Sequence, residues 1–159
     1  MTPRWLTADE QRTWRAFIRT VHLIDAALDA QLQQDAGITH IQYSILAMLS
    51  EAPDRSLRMT ELADVTESSR SRLSHAVSRL EGLGWVERRV CPTDKRGQIA
   101  ALTDDGFAVL ESAAPGHVER VRTSIFDVIS MDEAATLGDL LGRVAASLEA
   151  EQVGRGPDD

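Results

Sequence analysis

Residues 69–103 read SRSRLSHAVSRLEGLGWVERRVCPTDKRGQIAALT, and the fold turns on how this stretch divides. In its first half Leu73, Ala76, Val77, Leu80 and Leu83 recur at three- and four-residue steps. That period puts them on one side of a helix from about Ser69 to Leu83. Ser71, Ser74, His75 and Ser78 lie opposite, with Arg72 and Arg79 on a flank. Gly84 breaks the helix. WVERRV (85–90) and QIAALT (98–103) then read as paired strands, and CPTDKRG as the hairpin loop between them, punctuated by Pro92 and Gly97.

A shorter helix over about Thr60–Val65 and a turn at TESS (66–69) precede this stretch, which completes a helix-turn-helix pattern. Small hydroxyls beside arginine and histidine allow close approach to a groove and hydrogen bonds to base edges and phosphates. The candidate DNA contacts are Ser69, Arg70, Ser71, Arg72, Ser74, His75, Ser78 and Arg79. The plain alternative is an exposed helix with no ligand, for which so many middling helix formers gain little. The hairpin following a recognition helix reads as a wing. Lys95 and Arg96 stand at its tip, and Arg96 suits the negative potential of a minor groove. Asp94 can accept from Arg96 and aim its guanidinium. The alternative there is a surface turn with a weak ion pair.

Net charge is -8, which taken alone argues against a nucleic-acid partner. The charge is unevenly placed. Between Ser68 and Gln98 stand seven bases and three acids, a net +4 that leaves -12 on the rest of the 159 residues. A basic segment on an acidic body fits a DNA-binding module, although a solvated charged face has the same composition. The single cysteine, Cys91, excludes an internal disulfide and a cysteine-rich zinc site. His22, His40, His75 and His117 are scattered, so no metal site is expected, and no cofactor. No nucleophile–base arrangement or phosphate loop points to an enzyme. No apolar run reaches the ~20 residues of a membrane span, and the start MTPRWLTADEQR lacks the apolar stretch of a signal peptide. A cytoplasmic protein with no membrane partner is expected.

Outside the central stretch the chain reads as helices. Thr7–Glu10 forms a capping box before a helix over about Ala8–Asp35, with Trp14, Phe17, Ile18, Val21, Ile24, Leu28 and Leu32 in its apolar stripe and Gly37 as its stop. Thr39–Gln42 caps a second helix that runs through Leu49, and EAPDRS (51–56) is a loop. Thr103 opens a long helix carrying Phe107, Leu110, Val118, Val121, Ile125 and Val128, with a kink or break at Pro115-Gly116. Ser130–Glu133 caps a last helix with Leu137, Leu140, Leu141, Val144 and Leu148. The first and last helices have no other large element to pack on, which favours burial against a symmetry mate. The expected fold is mainly α with a small β-wing. Residues 1–38 and 104–153 form a helical dimerisation region, 39–103 a winged helix-turn-helix lobe, and 154–159 a flexible tail.

RLEGLGWVERR (79–89), the pair Asp94-x-Arg96 and LTDDG (102–106), in this order and spacing, resemble the MarR family of multiple antibiotic resistance regulators. The likeness extends over nearly the whole chain. It implies a homodimer on a pseudo-palindromic duplex operator, a repressor in the usual case, released by a small effector that is often aromatic and anionic. The family's effector pocket lies between the dimerisation helices and the DNA-binding lobe. Trp14, Arg15, Phe17, His22 and Tyr43 are the side chains available for it here, and Trp14 and Phe17 fit the core equally well. Two alternatives stay open: a DNA-binding protein with no effector response, constitutive or architectural, and a redox-responsive regulator acting through Cys91. A third is a helical module whose basic segment binds an acidic protein.

Overall fold

The computed structural model describes residues 2–91 and 94–153; the side chains of residues 95, 96, 152 and 153 lie outside the description. Six helices and three strands follow in the order α1 (Ala8–Ala36), α2 (His40–Glu51), β1 (Ser56–Arg58), α3 (Met59–Val65), α4 (Arg70–Gly82), β2 (Val86–Cys91), β3 (Asp94–Leu102), α5 (Asp104–Val121) and α6 (Met131–Val153). The capping boxes set the helix starts. Thr7 Oγ1 accepts from the Glu10 N–H at 3.2 Å while Glu10 Oε2 accepts from the Thr7 N–H at 2.7 Å. Thr39 with Gln42 repeats the exchange, as does Ser130 with Glu133. Gly37 closes α1 in the left-handed region at φ 66°. The chain divides into two compact units, residues 1–120 and 121–159.

In the first unit Leu32, Ile38, Ile45, Leu46, Leu49, Leu62, Leu73, Val77, Leu80 and Val86 are fully buried in one core. Leu73, Ala76, Val77 and Leu80 form the inner side of α4, as their spacing predicts. Leu83 does not join them and is exposed, because α4 ends at Gly82 and Leu83 sits in the cap. Of the α1 stripe only Leu28 and Leu32 are buried; Trp14, Phe17 and Val21 are exposed along the first half of the helix.

Three further features differ from the sequence expectations. A strand that was not expected, β1, begins at Ser56, the last residue of the segment read as loop, and pairs antiparallel with β3 at Ser56↔Ala101, Leu57↔Ala100 and Arg58↔Ile99, which gives the sheet order β1-β3-β2. Three residues are too few to display an alternation, and the pairing is supplied by the open edge of β3. The loop CPTDKRG is largely strand: β3 begins at Asp94, and Cys91 pairs with Asp94 past a register shift at Val90/Cys91. Finally, α5 runs unbroken through Pro115. Pro115 and Glu111, whose carbonyl loses the proline's donor, are both exposed, so water can satisfy that carbonyl. Gly116 beside it lets α5 approach α1, since a Cβ there would stand 2.8 Å from Asp35 Oδ2. In the second unit a π-helical segment spans Arg122–Phe126 ahead of α6.

LTDDG ties the wing to α5. The Thr103 hydroxyl donates to the Gly84 carbonyl at 2.7 Å and accepts from the Gly106 N–H at 3.1 Å, while the Thr103 N–H donates to the Trp85 carbonyl at 3.1 Å. Gly106 lies so near that carbonyl that a Cβ would come within 2.1 Å of its oxygen. A backbone carbonyl inside a satisfied junction cannot yield. Gly106→Ala is therefore expected to cost about 2–3 kcal/mol in urea denaturation. Gly82→Ala, with nothing within 4 Å of its Cβ, is expected to be neutral or slightly stabilising.

Where α1, α2 and α5 meet, the His117 ring lies 4.1 Å from the Tyr43 ring and 5.7 Å from that of His40. His40 Nδ1 is 3.2 Å from Asp25 Oδ1, and the His40 N–H donates to Asp29 Oδ1 at 2.9 Å. Burial, and then the nearby His40, hold the His117 pKa below its ordinary 6.5. The unfolded chain thus takes up this proton first. The stability His117 contributes is full above about pH 6.5 and is lost as pH falls through the folded pKa. Thermal midpoints measured from pH 7.5 to 5 are expected to fall less steeply in His117→Gln than in the wild type.

Candidate nucleic-acid interface

The outer face of α4 carries Ser71, Arg72, Ser74, His75, Ser78 and Arg79, all exposed. It is presented by a four-residue turn in which Glu67 takes φ 49° and the Ser68 N–H bonds to the Ala63 carbonyl at 3.0 Å. Ser69 is the N-cap of α4 and accepts from the Arg72 N–H at 3.3 Å. Among the described residues, the side chains of Arg70, Arg72, His75 and Arg79 make no ion pair or hydrogen bond within the chain. They are available to an outside anion. Arg72, His75 and Arg79 also line a cleft of about 250 Å³ with Thr39, Ile41 and Gln42, at the N-terminus of α2. The positive end of that helix adds to the arginines, and the cleft's chemistry suits a phosphate oxygen. The spacing within α4 foretold its outer face, but nothing in the sequence announced that α2 ends beside it.

The wing divides its charges between structure and surface. Arg88 points inward from β2, toward α4. Its Nη2 donates to the Ser74 carbonyl and to Ser78 Oγ, each at 2.8 Å, so Arg88 and Ser78 are already joined. Arg89 faces outward and is paired with Glu87 at 2.9 Å. The exposed Asp94 turns its carboxylate toward Gly97, three residues on in the same strand, where a Cβ would lie 3.2 Å from Asp94 Oδ2. Lys95 and Arg96 belong to the backbone of β3; their side chains, and with them the expected Asp94–Arg96 pair, lie outside the described residues, as do Pro92 and Thr93 and the tail 154–159.

Known proteins share this fold and part of its sequence. The sequence profile of the MarR family matches residues 36–97. Sco3205, a MarR family transcriptional regulator of Streptomyces coelicolor solved in complex with DNA, is 52% identical, with 92% of each chain covered and a TM-score of 0.89. AbsC, another MarR family transcriptional regulator from that organism, is 36% identical over 93% of this chain and 99% of its own, with a TM-score of 0.86. The transcriptional regulator PecS of Dickeya dadantii (strain 3937) is 33% identical over 128 residues, which cover 79% of this chain and 75% of PecS. The chain belongs to the MarR family. It is a DNA-binding transcriptional regulator with the winged helix fold, and not an enzyme.

The effector candidates of this MarR-family chain divide between exposed positions on α1 and a buried one on α2. Trp14 and Phe17 are exposed neighbours on α1, their rings 6.3 Å apart. Arg15 and His22 are exposed on the same helix. Tyr43 is buried against His117, and burial followed by the Glu51 charge raises its pKa above 10. The Cys91 side chain is buried at the far end of β2 from the wing base, where Cys91 pairs with Asp94. Among the described residues no group of three His, Cys, Asp or Glu side chains is placed to hold a metal ion, and no helix is long and apolar enough to cross a membrane.

Salt titration of duplex binding separates the two kinds of arginine. Arg79→Ala is expected to lower the slope of log K against log salt by about one, as for a lost phosphate contact. Arg89→Ala, which removes a cation already neutralised by Glu87, is expected to change the slope by less.

Proposed function

We propose that this regulator binds a pseudo-palindromic duplex operator as a homodimer, with α4 in the major groove and the wing reaching toward the adjacent minor groove. The observation that carries the reading is the unpaired cationic face of Arg70, Arg72, His75 and Arg79 beside the N-terminus of α2. A backbone phosphate would seat in that cleft while Ser71 and Ser74 approach base edges. Lys95 and Arg96 would supply the wing contact, with Asp94 orienting Arg96.

Apolar surface left open supports the dimer. Trp14, Phe17 and Val21 of α1 are exposed in one unit, and Leu137, Leu140, Leu141, Val144 and Leu148 of α6 in the other. A second copy would cover both stripes, with residues 1–38 and 104–153 as the dimerisation region and 39–103 as the DNA-binding lobe. Two recognition helices would then read half-sites one turn apart, roughly 34 Å. Such a dimer acts in the cytoplasm and represses by occupying its operator. A small anionic aromatic effector would release it, using Arg15 and His22 beside Trp14 and Phe17. A second reading, binding without an effector, is favoured by the burial of Tyr43 against His117 while Trp14 and Phe17 stand exposed.

Sedimentation is expected to give a dimer, and binding to a duplex selected from a random-sequence pool to weaken steeply with salt. Arg96→Ala is expected to lower affinity across many sequences, and Asp94→Ala to do so by less. A monomer, or salt-insensitive binding, would sink the proposal. Thermal shift against aromatic carboxylates tests the effector, since a ligand of the native state raises the midpoint.

A further inference from the structure

Arg88 stands in the basic segment but does not behave as a DNA-facing cation. Along β2 the buried positions are Val86 and Cys91, and Arg88 is half-buried on the side that meets α4. Only 20% of its side chain is exposed. Its guanidinium lies along one stripe of α4 at Ser74, Ser78 and Glu81, positions spaced four and three residues apart. Nη2 bonds the Ser74 carbonyl and Ser78 Oγ at 2.8 Å each, and Ser78 Oγ itself donates to the Ser74 carbonyl at 2.9 Å. The Arg88 backbone N–H donates to Glu81 Oε1 at 3.3 Å, and Glu81 Oε2 stands 3.8 Å from the buried Nε, which makes no hydrogen bond. One residue of the wing thus grips three successive positions of the recognition helix.

We infer that Arg88 is a positioning residue that sets the angle of the wing on α4, and that Ser78 belongs to this strut rather than to the base-reading face. The inference rests on the reading that α4 and the wing engage one duplex together. The physical case is geometric. The sheet holds the hairpin through Thr103, Gly106 and the pairing of β1 with β3 at Ile99–Ala101, and what this leaves free is the tilt of the edge strand β2 against α4. A second fixed point further along β2 removes that freedom before DNA arrives, so less order is lost on binding. Both bonds come from Nη2, whose two N–H groups are fixed in the guanidinium plane, whereas the donors of a lysine rotate on a flexible stem and hold the angle less firmly. The Arg88 charge is offset by Glu81 and screened from the surface, so it releases no counterions from DNA.

The test compares Arg88→Met, Arg88→Lys and Ser78→Ala on the duplex selected by the wild type and on a random duplex, over a range of salt. Arg88→Met is expected to weaken specific binding tenfold or more while binding to the random duplex and the salt slope stay as in the wild type. Hydroxyl-radical footprints are expected to lose the minor-groove protection given by the wing and to keep that of α4. Arg88→Lys should recover part of the loss. Ser78→Ala should lose about threefold, and the double variant Arg88→Met/Ser78→Ala no more than Arg88→Met alone, because the two residues act as one unit. A salt slope lower by about one in Arg88→Met would make Arg88 a phosphate contact and overturn the inference. So would wild-type specificity and an unchanged wing footprint. If Arg88→Met does not fold, Ser78→Ala decides: an altered footprint at bases under α4, with wing protection intact, would return Ser78 to base reading. Failure of the broader reading looks different, since the wild type itself would then select no duplex.

Discussion

The contact between Gly106 and the Trp85 carbonyl is the constraint on which the rest of the molecule depends. Four chain segments meet there: the end of α4, the start of β2, the end of β3 and the first turn of α5. Gly84, at φ 77°, lets the chain leave α4, with the Trp85 N–H closing back on the Leu80 carbonyl at 3.0 Å. Thr103 then bonds both sides of the junction with a single hydroxyl. Because the hairpin starts and ends at this point, the junction fixes where the wing leaves α4. The same point launches α5, whose buried Leu110 and Ala113 close the core. Arg55 reinforces it from the other side, reaching Asp104 at 3.2 Å and lying 4.0 Å over the Phe107 ring.

On this frame the positive charges sort into two groups by what surrounds them. Arg88 is bonded to α4, and Arg89 is paired with Glu87. Arg70, Arg72 and Arg79 have no such neighbour, and they stand on the exposed side of a helix whose other side is locked in the core. An acidic chain can therefore present a cationic face without giving up its overall charge. What matters to a phosphate is the charge within a Debye length, about 8–10 Å, and not the sum over the molecule.

Much of this was legible beforehand where it depends on neighbours in sequence. The three capping boxes, Gly37, Gly84 and the apolar period of α4 each act over four residues or fewer, so the sequence states them directly. The exposed serine and arginine face of α4 follows from that period. Readings that failed depended on what the folded chain buries, pairs or leaves to water. β1 exists because β3 offers an edge. Leu83 is exposed because the Gly84 cap ends α4 one residue before it. Pro115 leaves α5 whole because Glu111 faces water. Arg88 looked like one more base in a basic run, and Ser78 like one more exposed hydroxyl, until the sheet set them against each other.

The amino-acid sequence by itself determined where α1, α2 and α6 start, where α1 stops, which side of α4 is apolar, and the family that its RLEGLGWVERR and LTDDG segments mark. These are consequences of local hydrogen bonding and of the 3.6-residue period, which need no knowledge of the rest of the chain. Tertiary structure alone decided which cations remain unpaired, that α2 brings its N-terminus beside Arg72 and Arg79, and that Arg88 ties the wing to α4. A side chain's freedom depends on what lies within a few ångströms of its charged end, and for a long side chain those neighbours come from anywhere in the fold.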